Sequence, residues 1–241
     1  MKEFNLTREI WTSDDIENYK SYVLTFSKGK EKGEWEKRII NTNLDCISVP
    51  SDILENIAVK IYKGNYVSFL SFWCWDNFSF ASVIGRIIVK IQDFNEMKFY
   101  LDKYVSMCDN WANCDLLKFK INKNNKEIFL DLAKKYLKSQ KTFVRRTGVV
   151  ILLKMIKIDI KSVLKIIKEL KNETEYYVNM AVAWLVCDAF IYDRELTLKL
   201  FEDEELNDFV INKAISKCRD SYRVSKEDKE MLLKFKQKRS L

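Results

Sequence analysis

The chain has 241 residues, with 42 Lys and Arg against 35 Asp and Glu, a formal net charge of +7 and no histidine. Five glycines and one proline are too few for the turns of an all-β fold, and the glycines match neither a dinucleotide fingerprint nor a P-loop. Without histidine, Ser-His-Asp and Cys-His catalysis and every His-ligated metal site are excluded, leaving carboxylates, basic groups, aromatics and thiols for any chemistry.

Helical periodicity dominates from the start. Across 13–26 the apolar residues Ile16, Tyr19, Tyr22, Val23 and Phe26 follow three-four spacing behind a Ser-Asp-Asp start. A short helix carrying Trp35, Ile39 and Ile40 follows, then a loop over 43–51 that holds Pro50. Ser51 and Asp52 offer an N-cap for a helix with Ile53, Leu54, Ile57, Ala58 and Ile61 inward. Beyond Gly64 the pattern predicts an aromatic-rich helix through Trp75, another over 80–91 and a third over 94–107. The aromatics Tyr66, Phe69, Phe72, Trp73, Trp75, Phe78 and Phe80 read as a packed helix interface, because few basic residues interleave them. The rest is more regular. First helices begin near Asn110, Thr142, Thr174 and Asn207, at an interval of about 32 residues. Each is followed by an amphipathic helix, starting near Asn125, Asp159, Arg194 and Ser225. Recurring helix pairs make an all-α fold, an α-solenoid of antiparallel HEAT-like pairs, because one pair cannot bury its apolar face alone. One domain over 1–241 is expected, less regular over 1–108 and repeat-built over 109–241, curved with a concave basic face.

The longest nearly apolar runs, 66–75 and 148–153, fall short of the roughly 20 residues that span a bilayer. The opening MKEFNLTREIW carries acidic residues and no apolar run, so no signal peptide is expected and the protein reads as cytoplasmic. Six cysteines without CxxC spacing read as mostly buried small hydrophobes, with no metal site. Positive charge collects over 213–239, in Lys213, Lys217, Arg219, Arg223, Lys226, Lys229, Lys234, Lys236, Lys238 and Arg239, and again in Arg145 and Arg146 after Lys138 and Lys141. Any single lysine here fits a solvated helix surface. Gathered on one face they would neutralise phosphates and release counterions, which favours nucleic acid over acidic protein as partner. The acidic run Glu202, Asp203, Glu204 and Glu205 reads as solvent-facing at a repeat edge.

One spacing is chemically informative. Trp111 and Asp115 lie four apart, so an indole and a carboxylate emerge from one helix face. Alone, the pair is weak evidence, since a tryptophan at the start of a helix is usually core and the aspartate could simply be solvated. The WxxxD of 111–115 is, however, similar to the motif of the HEAT-like-repeat DNA alkylation repair glycosylases, the AlkD-like group. The resemblance continues through Val144-Arg145-Arg146-Thr147-Gly148-Val149-Val150, Asn179-Met180-Ala181-Val182-Ala183-Trp184 and Ile211-Asn212-Lys213-Ala214-Ile215-Ser216-Lys217.

That resemblance implies a monofunctional DNA glycosylase that removes N3- or N7-alkylated purines from duplex DNA without metal, cofactor or covalent intermediate, and acts as a monomer. It assigns the catalytic carboxylate to Asp115, the two indoles flanking the lesion's sugar to Trp111 and Trp184, and a backbone contact to Arg146; Arg145, Lys213 and Lys217 join it as DNA-binding candidates. This chain departs from the family pattern at Met180, where lysine is usual, at Ala183, where glycine is common, and at Cys187, where arginine is expected. The segment after Pro50, normally basic, reads Ser51-Asp52-Ile53-Leu54-Glu55-Asn56. These departures favour the alternative, a non-catalytic helical-repeat scaffold that binds a DNA structure or a protein.

Overall fold

The computed structural model describes residues 4–236. Among them the regular elements are thirteen α-helices and a closing 3-10 turn, with no strand and one isolated bridge, between Asp45 and Asn77. The chain is all-α, as its periodicity requires, and its contacts gather into two compact units that part between Lys120 and Ile121.

The first unit contains α1 (Ser13–Leu24), α2 (Lys30–Ile40), α3 (Ser51–Lys63), α4 (Tyr66–Phe72), α5 (Phe78–Ile88), α6 (Phe94–Met107) and α7 (Trp111–Asp115). Its centre is α5, every residue of which is buried, with α3, α6 and α7 packed against it. Arg86 lies within that buried helix because Glu55 and Ser51 of α3 accept from its guanidinium at 2.9 and 2.8 Å. Ser51 is therefore the first residue of α3 and a partner of Arg86; the N-cap position belongs to Pro50, with no side-chain cap. Glu55 also binds Lys90. Burial pushes the Glu55 carboxyl up, but the hydrogen bonds from Lys90 and Arg86 prevail and hold it below its ordinary value.

Other boundaries shift for local reasons. The cap of α1 is Thr12, one residue before the Ser-Asp-Asp start, in a reciprocal capping box with Asp15. In α2, Ile40 is buried while Trp35 and Ile39 face solvent. The aromatic helix α4 stops at Phe72 because Trp73 takes a left-handed backbone, φ 46°. This divides the aromatic cluster: Phe69, Phe78 and Phe80 enter the core, whereas Phe72 is exposed and Trp73 and Trp75 are half-buried. In the core, Trp11 and Tyr19 meet Phe69 edge-on at 5.0 and 5.1 Å.

The second unit contains α8 (Lys126–Leu137), α9 (Thr142–Lys168), α10 (Tyr176–Tyr192), α11 (Arg194–Glu202), α12 (Asp208–Asp220) and α13 (Lys226–Leu232). α9 breaks at Asp159 (φ −154°, ψ 70°), whose side chain accepts from the Ser162 N–H and so caps 160–168 as a separate helix. Helices thus begin at or within two residues of all the repeat starts expected in this unit. The repeat also governs the contacts. Arg146 meets Tyr177, 31 positions on; Lys126 meets Asp159, 33 on; Arg194 meets Asp228, 34 on; Asp188 meets Arg223, 35 on.

These contacts define two layers. The N-terminal ends of α9, α10 and α12 lie together, through Phe143 with Tyr177 and Tyr176 with Phe209 at 5.3 and 5.7 Å. Their C-terminal ends also lie together, through Tyr192 donating to the Lys157 carbonyl and Arg223 pairing with Asp188. The segment 142–158, α10 and α12 are therefore parallel neighbours. In the other layer, Lys126 of α8 pairs with Asp159 at the start of 160–168, and Arg194 of α11 pairs with Asp228 of α13. Within the pair α8 and α9 the chain runs antiparallel, Lys126 opposite Asp159 and Leu137 opposite Gly148.

Gly148 permits that close approach, since a Cβ there would sit 3.0 Å from the Leu137 Cγ and 3.1 Å from the Ala133 carbonyl oxygen. Gly148→Val is expected to destabilise the protein by about 1–3 kcal/mol through overpacking, read as a lower urea midpoint with helical circular dichroism retained.

Candidate functional site

In the first unit the candidate site is α7, a helix of five residues. So short a helix has no stability of its own and depends on what holds it. Asn110 caps it, its buried side-chain oxygen accepting from the Asn113 N–H at 2.9 Å. The Asn110 amide donates to Thr42 and to Asp109, while the Asp109 carboxylate accepts from the Thr42 hydroxyl and the Asn43 N–H, both at 2.7 Å. Tyr104 of α6 donates to the Asn113 carbonyl at 3.2 Å. The start of α7 is thereby fastened to the loop after α2, and the Trp111 ring N–H reaches the Ile39 carbonyl at 3.4 Å. Trp111 and Asp115, four apart, share the accessible side of the helix and are each part-exposed, while Asn113 and Cys114 are buried. Spacing foretold that Trp111 and Asp115 share one face of a helix. Thr42 and Asp109, which orient them, had no signal in the sequence, since Thr42 lies 67 positions before Asp109.

In the second unit the other candidates lie along the parallel layer. α10 is buried almost all round; its accessible stripe runs through Tyr177, Met180, Trp184, Asp188 and Ile191, at three-four spacing. Trp184 therefore has one accessible side, and Met180 shares it. Ala183 and Cys187 face inward, where Cys187 lies near Cys218 of α12. An arginine at 187 would have to be buried in that packing. On α12, Lys213 and Lys217 are part-exposed one turn apart, and no described carboxylate lies within ion-pair distance of either. The Lys213 ammonium stands 5.9 Å from the Phe209 ring.

The two arginines of α9 are held by the protein itself. Arg146, buried at 6% exposure, donates to the Tyr177 carbonyl at 2.5 Å. Arg145 grips Glu173 in a two-point contact at 2.7 and 3.2 Å and also donates to the Ser139 carbonyl. Glu173 in turn accepts from the N–H groups of Thr174 and Glu175, and its carbonyl accepts from Asn179 and Asn207. One residue, Glu173, thus ties together the starts of α9, α10 and α12 through its carboxylate and its carbonyl. Burial raises the Glu173 pKa, but the Arg145 guanidinium and the two N–H donors outweigh it and hold the carboxyl below its ordinary value.

The basic run divides. Lys213, Lys217 and Arg219 lie on α12 and Lys226 and Lys229 on α13, Arg223 is paired with Asp188, and Lys238 and Arg239 fall outside the described residues. The acidic run lies at the end of α11, where Glu205 pairs with Lys168 and Glu204 accepts from Lys171 through its backbone carbonyl. Among the described residues no group of three His, Cys, Asp or Glu could hold a metal ion, and no helix is long and apolar enough to cross a membrane.

Residues 31–218 match the family model of the DNA alkylation repair enzymes, a span that includes α7, α9, α10 and all but the last two residues of α12. The chain belongs to this family. Its role is DNA alkylation repair, and its substrate is DNA. No curated protein matches the chain.

Two expectations follow from the repair protein's geometry. Asn110→Ala removes the cap and two further links of α7, so a loss of about 1–2 kcal/mol is expected in urea unfolding. The lowered pKa of Glu173 contributes stability that is complete above its unfolded value, about 4.3, and lost as pH falls through the folded one. Urea midpoints should therefore drop as pH is lowered below about 4.3, and Glu173→Gln should flatten that dependence while lowering the midpoint at neutral pH.

Proposed function

We propose that this DNA alkylation repair protein is a monofunctional glycosylase that hydrolyses the N-glycosidic bond of N3- or N7-alkylated purines in duplex DNA. The observation that carries the reading is α7: a helix too short to persist alone, clamped by Thr42, Asp109 and Asn110, with an indole and a carboxylate on its accessible side.

Alkylation at N3 or N7 makes a purine cationic, so the base leaves neutral when it takes the electron pair of the glycosidic bond. Positive charge then moves to the deoxyribose, at C1′ and the ring oxygen. Asp115, as the carboxylate, stabilises that charge and orients a water molecule. The water oxygen bonds to C1′ and gives up a proton, which leaves an abasic sugar and the free base. Trp111 and Trp184 offer indole faces that attract cationic character and exclude bulk water. Arg146, held by the Tyr177 carbonyl, is a preoriented partner for a phosphate, and Lys213 and Lys217 supply further backbone charge. Arg145, gripped by Glu173, fixes the first turn of α9 from which Arg146 projects. The protein works as a monomer in the cytoplasm on this reading.

The test is base release. Wild-type protein should liberate methylated purine from alkylated duplex DNA at low salt, and Asp115→Asn should reduce the rate by about 10²–10³-fold while retaining DNA binding. If the wild type binds duplex but releases no base from several alkylated substrates, the glycosylase reading fails. A non-catalytic DNA-binding scaffold, favoured by the internal commitment of Arg145 and by Met180 beside Trp184, would then stand.

A further inference from the structure

At the C-terminal end of the parallel layer lies a groove of about 460 Å³ that no role yet described uses. Residues Leu153, Lys154, Ile156 and Lys157 of α9 line one side, and Asp188, Ile191 and Tyr192 of α10 the other. Arg223 closes the end. The volume falls within the roughly 300–1,000 Å³ typical of small-molecule sites. Its chemistry is mixed in a specific way. Leu153 and Ile156 form an apolar floor. Tyr192, half-exposed, is held against α9 by its hydroxyl, which donates to the Lys157 carbonyl at 3.3 Å.

Asp188 is matched by Arg223 at 2.7 Å, and among the described residues Lys154 and Lys157 have no ion-pair partner. The carbonyl ends of 142–158 and α10 give this end of the layer a partial negative charge, which one lysine would offset. Two lysines beside an arginine exceed that need. An apolar floor, an aromatic wall and a surplus of positive charge fit a ligand with a flat hydrophobic part and an anionic part.

We propose that this groove binds one nucleotide, its base laid against Tyr192 and the aliphatic floor and its phosphate held by Lys154 and Lys157. Tyr192 stands two turns from Trp184 on α10, about 12 Å along the axis. An unpaired nucleotide of a strand lying along the α10 stripe therefore reaches it. A free nucleoside monophosphate has the same chemistry. The strand source rests on the proposed DNA reading, whereas occupancy of the groove does not require base excision.

The experiment is a calorimetric titration at low salt with deoxyadenosine monophosphate, deoxyadenosine and inorganic phosphate separately. Wild type, Tyr192→Ala and the double variant Lys154→Glu/Lys157→Glu are compared, each first checked for wild-type helical content. The monophosphate should bind saturably, with the nucleoside and phosphate at least about tenfold weaker, and Tyr192→Ala should weaken it about tenfold. The double lysine variant should abolish binding, and the wild-type affinity should fall steeply with salt. No saturable binding of the monophosphate, or binding that neither variant changes, overturns the proposal. Competition by the monophosphate against a duplex with one unpaired adenosine, but not against a fully paired duplex, supports the strand as source. Monophosphate binding without such competition supports the free nucleotide. Base release with no monophosphate binding sinks the groove alone, and binding without base release sinks the glycosylase reading alone.

Discussion

A helix that is apolar on nearly every side persists only when enclosed, and the second unit is organised around such a helix. Val178, Ala181, Val182, Ala183, Leu185, Val186, Ala189 and Phe190 of α10 are all buried. Each larger side chain among them contributes roughly 1.5–3 kcal/mol on burial, far more than any surface ion pair. The packing of α9, α11 and α12 that this burial drives leaves one accessible stripe. Whatever α10 presents to DNA must therefore come from Tyr177, Met180, Trp184, Asp188 or Ile191, or from the exposed tyrosines at its two ends, Tyr176 and Tyr192. Trp184 falls on that stripe, while its neighbours Ala183 and Leu185 cannot. The same constraint explains why Cys187 is small: its position lies in the α10–α12 seam, against Cys218.

Charge is allotted by the same logic. Arginines sit where the fold needs a fixed, multi-point donor. Arg86 spans Glu55 and Ser51 within the buried heart of the first unit, Arg145 spans Glu173 and Ser139, and Arg146 holds the Tyr177 carbonyl. A planar guanidinium suits these bidentate and bridging tasks better than an ammonium. Lysines such as Lys154, Lys157, Lys213 and Lys217 remain on accessible faces as mobile point charges. The net charge of +7 thus reaches a polyanion mainly through lysine, which favours long-range attraction over fixed contacts.

The first unit meets a different problem. α7 is too short to gain stability from its own hydrogen bonds, yet it bears the carboxylate on which the proposed chemistry turns. Its position is set by neighbours: the Thr42–Asp109–Asn110 network at its start, Tyr104 beneath it and α5 behind. Gly85 completes this support, since a Cβ there would lie 2.5 Å from the Tyr104 hydroxyl that donates to Asn113.

Much of this was written in the local sequence. Three-four spacing located α6 from its first residue to its last, and the helix starts expected near Asn207 and Ser225 carry those side chains as caps in the structure. Asp159 broke a long apolar run where the repeat demanded a new helix. These features depend on groups within one turn of each other, so a linear reading reaches them. Trp111 and Asp115 were accessible in the same way, as two residues on one face. Tertiary structure decided what each charged or aromatic side chain was free to do. It gave Arg145 to Glu173 and Ser51 to Arg86, turned Trp73 into a left-handed helix end, placed Trp35 in solvent and fastened α7 to Thr42. Those outcomes rest on partners some 30 to 70 positions distant, brought together by apolar burial that has no direction along the chain. Spacing says which residues share a face; only packing says which of them are already occupied.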